Sequence, residues 1–128
     1  MNAQDIKQAA REFGADLVGL AATETLRHLP PARNPLAIFP QATTVIVLGR
    51  KVLRGTLRGI ESGTEFDNSF STFGFVTLED NFLARTTYDL TIWLEARGND
   101  GVPLFGYDCE GQPVGVPVAP GKPAPNVI

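Results

Sequence analysis

The sequence predicts an α/β domain, a small mixed sheet with flanking helices, followed by an extended arm. Three observations predict this class. Apolar residues near the N-terminus recur at helical spacing, residues 43–48 are mostly β-branched, and proline and glycine dominate from residue 108 onward. We therefore expect an α/β domain over residues 1–107, which we expect to be incomplete, and an extended Pro/Gly-rich C-terminal arm or linker over residues 108–128.

The first predicted element is a helix over about residues 3–13. Its apolar residues recur at positions i, i+3, i+4 and i+7 and are Ile6, Ala9, Ala10 and Phe13. We expect Asn2 to cap its start and Gly14 to end it, because glycine adopts a left-handed conformation without a Cβ penalty. The apolar residues 17–20 that follow predict a short buried strand.

Two further elements are predicted before residue 50. Residues 23–29 fit one or two helical turns, which Thr23 would cap and Pro30 would stop. After an extended loop, the β-branched run at 43–48 is typical of a strand covered on both faces. We expect this strand to be central in the sheet.

The pattern changes from residue 49 onward. Glycines interrupt residues 49–77, which predicts a long functional loop or a partly ordered arm. Helical spacing returns over residues 77–97, where Thr77 with Asp80 resembles a capping box and Gly98 would end the helix. Residues 102–106 predict a third short strand, because their proline suits a sheet edge.

The composition excludes several classes of protein. A formal net charge of −3 argues against broad nucleic-acid binding, so nucleic acid is not the partner that we expect. Single-stranded nucleic-acid binding through the basic and aromatic loops is kept as a further alternative. One cysteine, Cys109, cannot alone hold a zinc ion or an iron–sulfur cluster, so we expect no metal centre within the chain. The longest apolar run, residues 45–48, is far shorter than the roughly 20 residues that span a bilayer. Since the N-terminus also lacks the pattern of a signal peptide, we expect a cytoplasmic protein without a membrane partner.

The segment at residues 49–59 carries the first candidate binding residues. They follow the expected central strand, at the end of an open α/β sheet where ligands usually bind. The basic residues of this segment are Arg50, Lys51, Arg54 and Arg58. The three arginines are four apart, so a helical turn would align them. The alternatives are an anion or cofactor-tail site with bidentate guanidinium contacts and a solvated basic face.

Aromatic residues in the next segment form a second candidate. They are Phe66, Phe70, Phe73 and Phe75. They would line a flat cofactor or stack on bases, or else pack the loop onto the core. The single histidine, His28, has no partner nearby in sequence, so we expect it at the surface, and we expect Cys109 to be an inert thiol. No catalytic residue and no metal ligand is assigned.

The order of these segments carries a resemblance to a known family. FGADLVGLAA and FPQATTVIVLGRKV are followed by LEDNFLARTTYDLTIWLEARG and VPLFGY. Over essentially the whole chain, this order resembles the N-terminal region of the epoxyqueuosine reductase-like proteins, iron–sulfur reductases related to corrinoid-dependent reductive dehalogenases. The resemblance implies part of a nitroreductase-like domain that cradles a corrinoid such as cobalamin. In full-length relatives a ferredoxin-like region with two 4Fe-4S clusters follows.

The resemblance also implies that essential parts lie elsewhere. Members that reduce epoxyqueuosine carry tyrosine, aspartate and histidine in the loop after the central strand, where this sequence has NSFSTFGF. A catalytic acid would lie beyond Ile128. We therefore expect part of an oxidoreductase that is not active alone and that works with a downstream ferredoxin-like region or a separate electron donor.

Two functions from different classes follow. The first is a cofactor-binding segment of such an oxidoreductase, in which the cofactor carries the chemistry. The residues expected to face the cofactor are Arg50, Arg54, Arg58, Phe73 and Phe75. The alternative is a stand-alone interaction module that forms homo-oligomers through its sheet edges and C-terminal arm.

Overall fold

A mixed set of helices and strands makes up the computed structural model, which describes residues 1–31, 34–65 and 67–104. The α-helices of this part of the chain are α1 (Ala3–Glu12), α2 (Arg58–Ser62) and α3 (Ala84–Glu95), and the strands are β1 (Leu17–Ala22) and β2 (Thr44–Gly49). Two π-helices, Asp67–Val76 and Leu78–Leu83, precede α3. The predicted α/β class is therefore confirmed.

The chain divides into two compact units, and both strands cross the division. The first unit contains residues 1–19 and 47–103 and holds α1, α2, α3 and the π-helices. The described part of the second unit contains residues 20–31, 34–46 and 104 and holds the remaining strand residues. It also holds the 3-10 helices Thr23–Leu26 and Pro35–Ala37.

Helix α1 begins at a complete capping box. The Asn2 side chain accepts hydrogen bonds from the backbone N–H groups of Gln4 and Asp5, and the Asp5 carboxylate accepts one from the Asn2 N–H. These contacts satisfy donors that the first helical turn leaves unpaired. The predicted helix and its Asn2 cap are confirmed, and Gly14 follows with a φ of 104°.

The core of the first unit lies where α1 packs on α3. The buried apolar residues of the described chain are Ala9, Ala10, Ala15, Leu90 and Leu94. Alanine dominates the α1 side, so the two helix backbones approach closely but bury little apolar surface. Because burial stabilises by about 25 cal/mol per Å², this core contributes modestly.

The two strands pair in an antiparallel register. The Asp16 N–H donates to the Gly49 carbonyl at 2.8 Å, and the Thr23 N–H donates to the Thr43 carbonyl at 3.0 Å. Both predicted strands are therefore present, but the described sheet has only these two strands and is not mixed. Among the described residues, the expectation that β2 is central and covered on both faces is wrong, since β2 pairs there only with β1 and Val47 is 59% exposed.

The short helix after β1 differs from the prediction in its cap. It is a 3-10 helix over Thr23–Leu26, and Ala22 occupies the cap position without a side-chain hydrogen bond. The Thr23 hydroxyl instead donates to the Ala42 carbonyl at 2.9 Å, and Thr23 is buried. A long-range partner therefore replaces the local cap that the sequence predicts.

The segment expected to be a long loop is largely helical. A 3-10 helix over Arg54–Leu57 runs into α2, and the first π-helix follows. The helix predicted over residues 77–97 is divided into the second π-helix and α3. Thr77 has helical backbone angles and makes no side-chain cap, so the predicted capping box is wrong.

The C-terminal predictions are tested only in part. Residues 101–104 are not in a strand, and the rest of the predicted third strand lies outside the described residues. The predicted arm at 108–128 lies there as well. Gly98 adopts a φ of 78°, as expected of the glycine that follows α3. No helix among the described residues is long and apolar enough to cross a membrane.

Candidate functional site

A surface pocket of about 290 Å³ lies within the first unit, beyond the end of β2. We call it the Arg50 pocket. Its polar side is formed by Gly14, Asp16, Arg50 and Lys51. Its apolar side is formed by Leu53, Phe73, Leu78 and Phe82. The pairing of β1 with β2 brings the turn after α1 next to the residues that follow β2, which assembles the polar side from two distant segments.

Two contacts hold the Arg50 guanidinium. Its Nη1 donates a hydrogen bond to the Gly14 carbonyl. The guanidinium carbon also lies 5.9 Å from the centre of the Phe82 ring, within the range of a cation–π interaction. Both contacts favour a position of the positive charge at the pocket wall.

Lys51 and Asp16 are connected through the backbone. The Lys51 N–H donates to the Asp16 carboxylate at 2.7 Å. This bond ties the residue that follows Arg50 to the residue that precedes β1, and both Lys51 and Asp16 are exposed. Neither Arg50 nor Lys51 takes part in an ion pair within the described residues.

The apolar side of the pocket comes mainly from the two π-helices. Phe73 lies on the first, and Leu78 and Phe82 lie on the second. Phe73 is 46% exposed and Phe82 is 38% exposed, so both rings leave apolar surface open to solvent. Such surface beside fixed charges is typical of a binding site rather than of a packed core.

The polar side is supported from behind by α3. Thr86 is 1% exposed, and its hydroxyl lies 2.8 Å from the Phe13 carbonyl and 3.1 Å from the Phe82 carbonyl. A Cβ added at Gly14 would overlap the Arg50 guanidinium and lie 3.4 Å from the Thr86 hydroxyl oxygen. The positive φ of Gly14 therefore favours glycine at this position, and a side chain there would also displace the end of the Arg50 side chain.

A second, more open concavity of about 950 Å³ lies along the 3-10 helix and α2. We call it the Arg54 concavity, and its lining residues are Arg54, Gly55, Leu57, Arg58, Glu61 and Ser62. Both arginines are exposed here, and Glu61 places a carboxylate in the same surface. This is the geometry of a solvated, mixed-charge face.

The structure separates the predicted site residues into three places. Arg50 and Phe73 share the Arg50 pocket, whereas Arg54 and Arg58 share the Arg54 concavity. Phe75 is 48% exposed and lines neither. His28 is exposed, as expected. Phe66 and Cys109 lie outside the described residues.

Five of the eight pocket residues are not among the binding candidates that the sequence indicates: Gly14, Asp16, Leu53, Leu78 and Phe82. Of these, the sequence predicts a role only for Gly14, as the residue that ends α1. The signal that would have found Gly14 and Asp16 is antiparallel pairing, because it places the start of β1 beside the end of β2. No local pattern in the sequence indicates that pairing.

Comparisons with known proteins do not assign the site. Family models, characterised proteins and solved structures contain no match to this chain. Within the described residues, no group of three or more histidine, cysteine, aspartate or glutamate side chains is placed to hold a metal ion. The function must therefore be argued from the chemistry of the pocket itself.

Proposed function

We propose that this chain is a cofactor-binding segment of a cytoplasmic iron–sulfur oxidoreductase that resembles epoxyqueuosine reductase, with a nitroreductase-like domain. In this proposal the Arg50 pocket holds an anionic group at the edge of the cofactor. The observation that carries the proposal is the convergence of Arg50 and Lys51 with Phe73 and Phe82 in one pocket. A cation beside aromatic surface suits a cofactor with an apolar body and a charged tail.

The residues fit a corrinoid only in part. Small-molecule pockets commonly measure about 300–1,000 Å³. At about 290 Å³, the Arg50 pocket has room for a peripheral group of a corrinoid such as cobalamin and not for the macrocycle. The bulk of the corrinoid would lie outside this pocket, and the corrinoid would supply the redox chemistry.

The residues do not fit a 4Fe-4S cluster. Such a cluster is held by four cysteine thiolates, and the sequence contains one cysteine. In the proposed function the clusters belong to a downstream ferredoxin-like region or to a separate electron donor. A cytoplasmic setting agrees with this cysteine content, since thiols stay reduced there.

Equilibrium dialysis against cobalamin tests the proposal, with visible absorbance of the corrin bands recorded in parallel. Dialysis detects binding even when a peripheral contact leaves the bands unchanged. We expect cobalamin to accumulate with the protein, and Lys51→Gln to reduce that accumulation. Arg11→Gln, which removes an equal charge from exposed α1 surface, should not. Equal cobalamin on both sides of the membrane at millimolar protein would rule the corrinoid out.

A second candidate is favoured by the exposed sheet. Leu17 is 74% exposed and Val47 is 59% exposed. Because β1 and β2 are antiparallel, both residues lie on the sheet face that also carries Gly19, whose added Cβ would be 3.9 Å from the Val47 Cβ. Two copies related by a two-fold axis can cover this same face on each other, so the partner in this candidate is a second copy of the chain. Sedimentation equilibrium would show a monomer–dimer distribution if this candidate is right.

A further inference from the structure

The residues of the Arg50 pocket favour a narrower class of ligand than anions in general. Arg50 and Lys51 contribute two positive charges, and Asp16 contributes one negative charge. The Asp16 carboxylate accepts the Lys51 backbone N–H, which holds its negative charge beside the two cations of the pocket lining. A highly charged anion would meet this carboxylate, whereas a group with one or two negative charges is balanced by the two cations.

The apolar side of the pocket adds a second requirement. Phe73 and Phe82 are partly exposed there, and Leu53 is 57% exposed. A bare inorganic anion would cover none of this apolar surface. Water would also have to be removed from the anion when it binds there, which costs free energy. A ligand with a flat apolar ring would cover the two phenylalanines and would gain the hydrophobic and ring-packing contributions that inorganic anions lack.

The size of the pocket limits that ring system. About 290 Å³ is at the lower end of the range for small-molecule sites. It accommodates one or two fused rings and not a long chain or a macrocycle. Because the contacts with Gly14 and Phe82 already restrain the Arg50 side chain, little further ordering of this side chain accompanies binding.

We infer that the Arg50 pocket binds a compact aromatic acid, a one- or two-ring system whose carboxylate or phosphate lies against Arg50 and Lys51 and whose ring lies on Phe73 and Phe82. This inference rests on the proposed use of the pocket as an anion site, and it names the class of group that enters it. The ligand is either a free metabolite or an aromatic part of a larger cofactor.

Isothermal titration calorimetry with three matched probes tests the inference. The probes are 2-naphthoate, the neutral naphthalene-2-carboxamide, and acetate. We expect 2-naphthoate to bind at least about tenfold more tightly than either of the others, because only it satisfies both sides of the pocket. Competition by 2-naphthoate against cobalamin in dialysis would show that both use one pocket, as a part of a larger cofactor requires. Binding without competition would assign the acid to a free metabolite and show that cobalamin does not use this pocket.

Matched variants locate the binding. Lys51→Gln should weaken 2-naphthoate by about two- to fivefold, the range for an exposed ion pair, and leave the carboxamide unchanged. Phe73→Leu should weaken both aromatic probes by about three- to tenfold, because it keeps apolar bulk but removes the ring face. Arg11→Gln and Tyr88→Leu are the controls for charge and for an exposed aromatic ring outside the pocket, and they should change neither value.

The outcomes separate this inference from the proposed function. If acetate binds as tightly as 2-naphthoate, the anion site stands and the aromatic-acid inference is wrong. If the carboxamide binds as tightly as 2-naphthoate, the pocket is only apolar and both are wrong. If no probe binds while far-UV circular dichroism shows a folded chain, the pocket is not a binding site and both are wrong.

Discussion

Gly14 sets the position of the charge in the Arg50 pocket. Its φ of 104° is a conformation that side chains with a Cβ rarely adopt, and its carbonyl accepts the Arg50 hydrogen bond. We predict that Gly14→Ala lowers the free energy of unfolding by about 1–3 kcal/mol, because it adds backbone strain and displaces the guanidinium. Urea denaturation followed by circular dichroism would measure the change.

Substitutions at two other glycines separate the effect of backbone conformation on stability from the effect of displacing Arg50. Gly63 has a φ of 70° but open space around it, so Gly63→Ala reports the backbone conformation alone. Gly55 has open space and no positive φ, so Gly55→Ala should be neutral or slightly stabilising. The order of loss should be Gly14, then Gly63, then Gly55. A Gly14→Ala chain as stable as Gly55→Ala would show that Arg50 does not depend on position 14.

At the scale of elements, α1 depends on its first turn. Its apolar face buries only Ala9 and Ala10, so packing stabilises it less than it would a helix with large core residues. We predict that Asn2→Ala, which removes both hydrogen bonds that the Asn2 side chain accepts, costs about 0.5–2 kcal/mol. Thermal unfolding monitored at 222 nm would measure it.

Gln8→Ala is the matched control on the same helix. It removes an exposed side-chain hydrogen bond to Glu12 but leaves the cap intact. Such pairs contribute about 0.2–0.5 kcal/mol, and alanine is the better helix former, so the net change should be small. If both variants lose equal stability, the cap is not what holds α1.

The elements that could be predicted are those whose pattern is local. Spacing of apolar residues and a favourable cap predict α1, and runs of apolar residues predict β1 and β2. The π-helices could not be predicted this way. Their carbonyls accept from the residue five positions later, so apolar residues spaced for an ordinary helix do not mark them, and glycines at 63 and 74 suggest a loop instead.

At the scale of the whole molecule, prediction from the sequence is limited by pairing between distant segments. A β-branched run predicts that residues 43–48 form a strand but not what covers it, because coverage depends on segments distant in sequence. The same limit applies to the Arg50 pocket. Arg50 and Phe73 could be proposed from their residue types, whereas Gly14, Asp16 and Phe82 enter the pocket only through tertiary contacts.

The exposed sheet face has a consequence for the stability of the whole chain. Two-stranded sheets are marginally stable in water, and the described core contains only two large apolar residues, Leu90 and Leu94. If two copies associate through the sheet, folding and association are coupled. The urea midpoint should then rise with protein concentration, because mass action favours the folded dimer.

Val47→Thr tests this prediction at one residue, since threonine keeps the β-branched shape and replaces exposed apolar surface with a hydroxyl. We expect the concentration dependence of the midpoint to diminish in Val47→Thr and to persist in Val102→Thr, whose valine is 46% exposed outside the sheet. A midpoint that is constant over a hundredfold range of concentration in the unaltered chain would show a monomer. The exposed face would then have to be explained without a second copy, and cofactor binding through the Arg50 pocket would be left as the favoured function.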